Sequence, residues 1–340
     1  MKALKYIAFI LLILFIGLSI FIAVQPNAFD FNRSRLIKAP VSLVFDKVND
    51  YKSWPEFSPW IEQEPNATLT YLEKTSGEDA GYGWEGEILG IGNMETISVD
   101  KNKVINQKIN FIKPFESNSD INWAFEETAE GTKVTWAMSG KQDFITKAYT
   151  AFMGSIEENT AKDFNRGLFK LDSIIQVDMK RYSVAIDGIT EYGGGFYMYK
   201  TTSANSKNIS KVMAKQYGEI MKYMSQNGVV QAGMPFTIYN EMNSENGNVI
   251  MSQAIPIQNK VDVLGDSQIL CGYIPKTKAL KITLKGNYTY LSNAWKKARS
   301  LLSKNNLEQS DIKPFEIYQT DPGNYPNPAD WITEIYIPLK

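Results

Sequence analysis

The side chains able to do chemistry in this chain are restricted in kind, because its 340 residues include no histidine and only one cysteine. Histidine is the usual acid–base group near neutral pH and a frequent ligand of transition metals, so Ser-His-Asp triads, Cys-His pairs and His-based zinc sites are excluded. A lone Cys271 also excludes an internal disulfide and a Cys-rich metal site. Chemistry is left to Asp, Glu, Lys, Tyr or that cysteine, and we predict no metal, no cofactor and no catalytic set.

One carboxylate is distinctive because the sequence around it is written twice. The stretch PFEIYQTDP closely matches an earlier stretch, PFTIYNEMN, and Glu316 stands in the second copy where the first has Thr237. Side chains alternate along a strand, so Glu316 shares one face with Tyr318, and the apolar residues on either side of Glu316 share the other. Most glutamates are exposed surface acids, so the pattern alone favours that role for Glu316, and a binding residue beside an aromatic ring is the alternative.

The duplication extends over two β-α-β-β units, at about 182–257 and 266–340. The first has GGFYMYKTTS, NISKVMAKQYGEIMKYMSQNG, MPFTIYNEM and VIMSQAIPI, and the second has KALKITLKG, NYTYLSNAWKKARSLLSKNN, KPFEIYQTD and WITEIYIPL. Tyr217 falls opposite Trp295 in the two helices. We expect two such units to pack about a pseudo-twofold axis, with a cleft between them on that axis.

The stretch from Phe29 to about Val177 has a different pattern. A strand ends at Pro40, which begins a short helix, and a run of alternating segments separated by Gly, Asn and Asp turns predicts consecutive antiparallel strands. The closing segment, 144–175, has apolar residues at helical spacing and predicts one long amphipathic helix. Its predicted buried stripe consists of Ala148, Phe152, Ile156, Phe164, Leu168, Leu171 and Ile175. A sheet curved round such a helix encloses a candidate cavity.

Aromatic residues within this first domain are candidates for the cavity wall. Alternation places Trp84 on one face of its strand and Glu85 with Glu87 on the other. Trp84 and Trp123 are therefore candidate ligand contacts, although ordinary core packing is the commoner role of such rings.

The amino-terminal segment predicts a membrane anchor over 1–28. Positions 6–24 run YIAFILLILFIGLSIFIAV without a charge, which at about 1.5 Å per residue spans the hydrocarbon core of a bilayer as a helix. A cleaved signal peptide is the alternative, but its apolar region is usually shorter and ends at a small-residue site. Basic residues lie on both sides of the span, so the orientation rests on the short tail, which favours soluble domains outside the membrane.

Two family resemblances follow from these motifs. RLIKAPVSLVFDKVNDYKSWPEFSPW, GYGWEG, KPFES, GTKVTW and MGSIEENTAKDFNRGLFKL resemble the SRPBCC superfamily, the helix-grip fold of START domains and polyketide cyclases. That resemblance implies a hydrophobic cavity for lipids or other small apolar molecules. LKGNYTYLSNAWKKA, FEIYQTDP and WITEIYIPL resemble the GyrI-like effector-binding domain. In that family, a glutamate at the base of an aromatic cleft meets the positive charge of bound drugs, and Glu316 occupies the matching position.

These observations predict an α+β protein of a bacterial cell membrane: an anchor over 1–28, a helix-grip domain over 29–178 and a duplicated GyrI-like domain over 179–340. The predicted function is binding of hydrophobic, cationic small molecules. The alternatives are a hydrolase of strained-ring or electrophilic compounds with Glu316 as general base, and a structural or partner-binding module. The 36 basic and 37 acidic residues nearly cancel, so nucleic acid is not expected as a partner. The predicted cleft residues are Glu316, Trp295, Tyr197, Tyr239, Tyr273 and Tyr318.

Overall fold

The computed structural model describes residues 2–205, 207–242, 247–263 and 267–340. Contacts divide the chain into two compact units, Met1–Val177 and Asp178–Lys340. Each unit combines helices with one antiparallel sheet, which confirms the predicted α+β class. Position 266, where the second repeat was expected to begin, lies outside the described residues.

The first unit opens with an apolar helix and continues into an antiparallel sheet and a long closing helix, whose last residues pass the boundary. Its elements are α1 (Lys2–Ala23), β1 (Ala28–Ile37), α2 (Val41–Asn49), α3 (Trp54–Phe57), α4 (Pro59–Gln63), β2 (Thr68–Tyr71), β3 (Gly81–Gly86), β4 (Gly90–Asp100), β5 (Val104–Lys113), β6 (Ser117–Thr128), β7 (Gly131–Lys141), α5 (Phe144–Met153) and α6 (Ile156–Met179).

The sheet of this unit has the strand order β1-β7-β6-β5-β4-β3-β2, and neighbouring strands pair antiparallel. Helix α6 packs on the sheet through Phe164, Leu168, Leu171 and Ile175, all of which are buried. The Phe164 ring stacks on Trp136 of β7, with 4.1 Å between ring centroids. A sheet wrapped on a long closing helix is the predicted helix-grip arrangement, which the structure confirms.

The closing helix differs from its prediction at one point. Positions 144–175 were expected to form a single helix, but Gly154 has φ +89°, a left-handed conformation that glycine adopts without a Cβ clash. Helix α6 restarts with a capping box, in which Ser155 Oγ accepts from the Glu158 amide at 3.1 Å and Glu158 Oε2 accepts from the Ser155 amide at 2.8 Å. The predicted stripe is therefore wrong before the break, and Phe152 is 66% exposed.

The second unit forms one sheet covered by helices on one face. Its elements are β8 (Ser183–Tyr192), β9 (Gly195–Asn205), α7 (Ile209–Gln226), β10 (Phe236–Met242), β11 (Asn248–Ile257), β12 (Leu270–Ile274), β13 (Thr277–Lys285), α8 (Leu291–Lys304), β14 (Phe315–Tyr318) and β15 (Ile332–Pro338).

The strand order of this sheet displays the duplication. It runs β12-β9-β11-β10-β14-β15-β13-β8, so β9-β11-β10 of the first copy and β13-β15-β14 of the second meet at the β10/β14 pair. Phe236 pairs with Ile317, and Thr237 pairs with Glu316. Because Thr237 and Glu316 are equivalent in the two copies and are also direct partners, the local twofold axis passes between them.

The alternation of β10 and β14 separates two kinds of surface. Phe236, Ile238, Phe315 and Ile317 form an apolar cluster on one face. Thr237 and Glu316 lie on the other face, which α7 and α8 cover. Duplication thus brings two equivalent positions together beneath two equivalent helices, and only one of these positions carries a charge.

Candidate functional site

The Glu316 carboxylate lies inside the second unit and is held by three donors. The residue is 1% exposed. The Tyr239 hydroxyl donates to its Oε2 at 2.7 Å, and the Tyr318 hydroxyl donates to the same oxygen at 2.9 Å. Trp295 Nε1 donates to Oε1. Hydrogen bonds to an ionised group are the stronger kind, so the three donors fix the orientation of the carboxylate.

The partners of Thr237 are the symmetry counterparts of the partners of Glu316. Tyr217, which is equivalent to Trp295, contacts Thr237 Oγ1 through its hydroxyl at 3.0 Å. The Tyr318 hydroxyl, which is equivalent to that of Tyr239, lies 3.2 Å from Thr237 Oγ1. Thr237 therefore contacts the counterparts of two of the three Glu316 donors, and of these two equivalent positions only Glu316 is an acid.

No basic residue in the described parts of the chain offsets the charge of Glu316. Burial raises the pKa of its carboxyl above the usual value, and the hydrogen bonds from Trp295, Tyr239 and Tyr318 oppose that rise only in part. Burial and the nearby Glu316 charge also raise the pKa of Tyr288 to about 12. The site is thus a carboxylate among neutral aromatic donors, an environment that favours either a bound cation or a retained proton.

This environment predicts a pH-dependent stability without ligand. A carboxyl whose pKa is higher in the folded than in the unfolded chain holds its proton longer when folded, so the free energy of unfolding falls as pH rises above the unfolded pKa of about 4.5. Glutamine does not titrate, so Glu316→Gln lacks this fall in the free energy of unfolding. We expect the stability of wild type relative to Glu316→Gln to decrease between about pH 4.5 and pH 7, as measured by urea unfolding in detergent. A constant difference would contradict the raised pKa.

Aromatic rings lead outward from the carboxylate. The Tyr288 ring contacts the Tyr318 ring edge to face, with 5.6 Å between centroids, and contacts the Trp331 ring at 4.6 Å. Tyr288 and Trp331 are both partly exposed. The Glu316 cage, which consists of Glu316, Thr237, Tyr239, Tyr318 and Trp295, therefore has an aromatic side towards solvent.

A buried amide beside the cage was not among the predicted site residues. Gln253 of β11 pairs with Thr237 in the sheet and is fully buried, yet neither its Nε2 nor its Oε1 has a hydrogen-bond partner among the described residues. The sequence repeat could have identified Gln253 as a candidate. When AIPI is aligned with YIPL, Gln253 is equivalent to the apolar Ile335. This second difference between the copies, Gln253 against Ile335, thus lies next to the difference between Thr237 and Glu316.

The first unit contains a separate cavity of about 260 Å³ between its sheet and helices. Its wall is mostly aromatic and aliphatic, with a few polar groups. The lining residues are Phe29, Trp60, Ile61, Tyr82, Trp84, Leu89, Ile109, Phe111, Ser117, Asn118, Ser119, Met138, Lys141, Thr146, Ile156 and Thr160. Such a wall suits an apolar molecule with a small polar group.

Comparisons with known proteins match a different family to each unit. Residues 37–169 match the family described as polyketide cyclase / dehydrase and lipid transport, and residues 196–340 match the GyrI-like small molecule binding domain. A Streptomyces cyaneus protein described as "Putative polyketide cyclase" is 32% identical over 117 residues, which cover 33% of this chain and 69% of that protein. The chain belongs to the polyketide cyclase / dehydrase and lipid transport family.

Further similarities cover each domain separately. A "Putative polyketide cyclase" of Streptomyces halstedii is 26% identical over 106 residues, which cover 30% of this chain and 91% of that protein. The crystal structure of the EcmrR C-terminal domain is 22% identical and covers 47% of this chain and 98% of its own, with a TM-score of 0.40. The predicted pair of a polyketide cyclase domain and a GyrI-like domain is confirmed, and both are families of small-molecule binding or conversion.

Within the GyrI-like domain, two predicted cleft residues lie away from Glu316. Tyr197 of β9 packs against Phe236, with 5.2 Å between ring centroids, in the apolar cluster on the opposite face of the sheet. Tyr273 of β12 is 57% exposed and contacts Phe196. Placing these two tyrosines in the Glu316 cleft was wrong for two reasons. Alternation does not fix which face the helices cover, and Tyr197 lies on the other face. Tyr273 belongs to the edge strand β12, which three strands separate from β14.

Within the polyketide cyclase domain, the two predicted tryptophans have different positions. Trp84 lines the cavity, and its Nε1 donates to the Leu89 carbonyl at 3.3 Å. Trp123 does not line the cavity; it is fully buried, stacks on Trp136 with 4.3 Å between centroids and donates to Gln107 Oε1 at 3.1 Å. Trp123 is a core residue, as the alternative to ligand contact anticipated.

Proposed function

We propose that the GyrI-like domain binds small hydrophobic cations, with Glu316 as the charge partner. The observation that carries the proposal is a carboxylate with 1% exposure, three uncharged donors and no basic partner in the described parts of the chain. A buried charge is costly unless it is paired, so a ligand cation supplies the missing partner. Aromatic faces around it add cation–π attraction of about 0.5–2 kcal/mol.

The same burial implies that the ligand enters by displacing a ring. Tyr288 contacts Tyr318, is partly exposed and lies between the Glu316 cage and Trp331. We therefore place the entry on the Tyr288 side. Movement of Tyr288 and Trp331 exposes an aromatic wall above the carboxylate, and the Gln253 amide offers an additional hydrogen-bonding group beside Thr237.

We further propose that the polyketide cyclase domain holds an apolar molecule in its cavity and that α1 anchors the chain in a bacterial cell membrane. Within α1, Leu4–Ala23 forms a helix of 20 residues that is long and apolar enough to span a bilayer. A membrane-anchored binder of this kind serves sequestration, sensing or delivery of its ligands.

The proposal predicts discrimination by charge between ligands of similar shape. Tetraphenylphosphonium and tetraphenylborate are nearly equal in size and opposite in sign. We expect the full chain in detergent to bind the cation at least about 100-fold more tightly than the anion, because the anion would face an unpaired carboxylate. Isothermal titration calorimetry, with benzyltrimethylammonium as a smaller cation, measures the ratio. Equal affinity for both ions would contradict the charge-pairing function.

A further inference from the structure

Helix α5 of the polyketide cyclase domain exposes an apolar face. Its exposed residues are 52–66% accessible, and the four at positions 145, 149, 152 and 153 lie on one side of the helix. The exposed residues are Phe144, Ile145, Tyr149, Phe152 and Met153. The helix contains one charged residue, Lys147, and this residue is buried on the other side. Contiguous apolar surface of this kind marks a contact with a partner or a membrane.

Hydrogen bonds attach α5 to the end of the candidate membrane span. Lys147 Nζ donates to the carbonyl of Ala23, the last residue of α1, at 3.1 Å, and to Asn27 Oδ1 at 2.5 Å. The Gln142 amide donates to the Asn27 carbonyl at 2.8 Å. A cation at the carboxyl end of a helix satisfies its free carbonyl groups and interacts favourably with its dipole. The α5 face therefore lies where α1 ends.

Two turns that each expose one large apolar residue beside a glutamate lie at the same end of the sheet. The strand register places the start of β1 beside Lys141 at the end of β7, and the start of β6 beside the end of β5. Ile88 lies in the turn between β3 and β4 and is 70% exposed, and Phe115 lies in the turn between β5 and β6 and is 69% exposed. The turns at the opposite end contain polar residues, including Lys103 and Glu130. The most exposed apolar side chains of the described sheet turns, Ile88 and Phe115, thus lie at the end that faces α1.

We propose that α5 and the Ile88 and Phe115 turns insert into the surface of the bilayer that α1 spans. The inference rests on the proposed membrane anchor and adds a second, peripheral contact. An amphipathic helix with Phe and Tyr on its apolar face binds at the boundary of headgroups and acyl chains. The continuity of this surface with the end of α1 favours lipid over a protein partner as its occupant.

This membrane contact implies that the ligand of the cavity comes from the bilayer. The cavity wall includes Thr146 of α5, Leu89 beside the Ile88 turn, and Ser117 beside the Phe115 turn. Insertion therefore holds this side of the cavity against the membrane surface. An apolar molecule dissolved in the bilayer then reaches the cavity without crossing bulk water.

Depth-dependent quenching in vesicles tests the inference on the full chain. Single cysteines are introduced in a Cys271→Ser background as Ile145→Cys, Phe152→Cys and Phe115→Cys, with Ile10→Cys in α1 as the positive control, and Lys103→Cys and Glu130→Cys at the opposite end as negative controls. Each is labelled with a nitrobenzoxadiazole dye in phosphatidylcholine–phosphatidylglycerol vesicles with or without brominated lipid. We expect emission to fall by about half at positions 145, 152, 115 and 10 and to stay unchanged at 103 and 130.

The possible failures are distinguishable. Quenching at position 10 without quenching at 145, 152 and 115 overturns the surface contact and leaves the anchor intact. Absence of quenching at all positions overturns both proposals. Labels at 145 and 152 that resist brominated lipid and also resist acrylamide in the aqueous phase are covered by protein, which overturns lipid as the occupant. All the labelled positions outside α1 are exposed, so the substitutions spare the core.

Discussion

Replacing Glu316 with glutamine is expected to weaken binding of hydrophobic cations by about 100-fold or more, because breaking a buried charge pair typically costs about 3–5 kcal/mol. Glutamine keeps the size of the side chain. Its Oε1 can still accept from Trp295 Nε1, and its amide can donate to the hydroxyls of Tyr239 and Tyr318, which rotate to accept. The substitution therefore removes charge while it preserves packing and hydrogen bonding.

Calorimetric titration of tetraphenylphosphonium into both proteins measures the change. Glu334→Gln is the matched control, because Glu334 is also a carboxylate of the GyrI-like sheet but is paired with Lys281 at 2.7 Å. Lys281, Gln319 and Tyr336 hold the pKa of Glu334 below its usual value against the effect of burial. We expect cation affinity to survive in this control. Unchanged affinity in Glu316→Gln would remove Glu316 from the ligand site.

The hydrolase alternative gives a different result with the same variant. Glu316 lies within hydrogen-bonding distance of the Tyr239 and Tyr318 hydroxyls, and burial raises the pKa of its carboxyl. These features also suit a general base that activates water. Steady consumption of a strained-ring electrophile by wild type, and its loss in Glu316→Gln, would assign catalysis to the cage. Cation binding by wild type without consumption of the electrophile would assign only a binding role to the cage.

The sequence predicts most of the architecture around Glu316 because duplication constrains it. Equivalent strands and helices in two copies imply a twofold arrangement, and alternation correctly puts Glu316 and Tyr318 on one face. Alternation alone could not show which face the helices cover, so Tyr197 was assigned to the wrong side. Which face is covered depends on how α7 and α8 pack against the whole sheet.

Local backbone geometry and long-range packing account for the remaining differences. The apolar spacing of 144–175 continues through Gly154, and only the positive φ of that residue reveals that α5 and α6 are separate. The exposed apolar residues of α5 therefore resembled a buried stripe. Trp84 and Trp123 both lie in predicted alternating strands, but the stacking of Trp123 on Trp136 comes from tertiary contacts that a one-dimensional pattern does not contain.

The asymmetry between the copies predicts a large effect of adding a second acid. Thr237→Glu places a carboxylate directly across the β10/β14 pair from Glu316, where both positions are almost fully buried. We expect the free energy of unfolding to fall by about 3–5 kcal/mol at neutral pH, because an additional buried charge has no opposite partner. Two adjacent carboxyl groups raise the pKa of one of them, so the loss should shrink as the pH falls towards about 4.5 and the folded chain retains protons on the pair.

Two control variants separate charge from size. Thr237→Gln introduces a neutral side chain of similar volume, and its loss of stability should be smaller and independent of pH. The double variant Thr237→Glu/Glu316→Thr returns the site to one acid, and the Tyr217 and Tyr318 hydroxyls near Thr237 supply donors for it. We expect urea unfolding to show that the exchange regains most of the stability lost in Thr237→Glu. If Thr237→Glu is as stable as Thr237→Gln across this pH range, the cage tolerates two charges. The burial of Glu316 would then no longer imply that a ligand cation pairs with it.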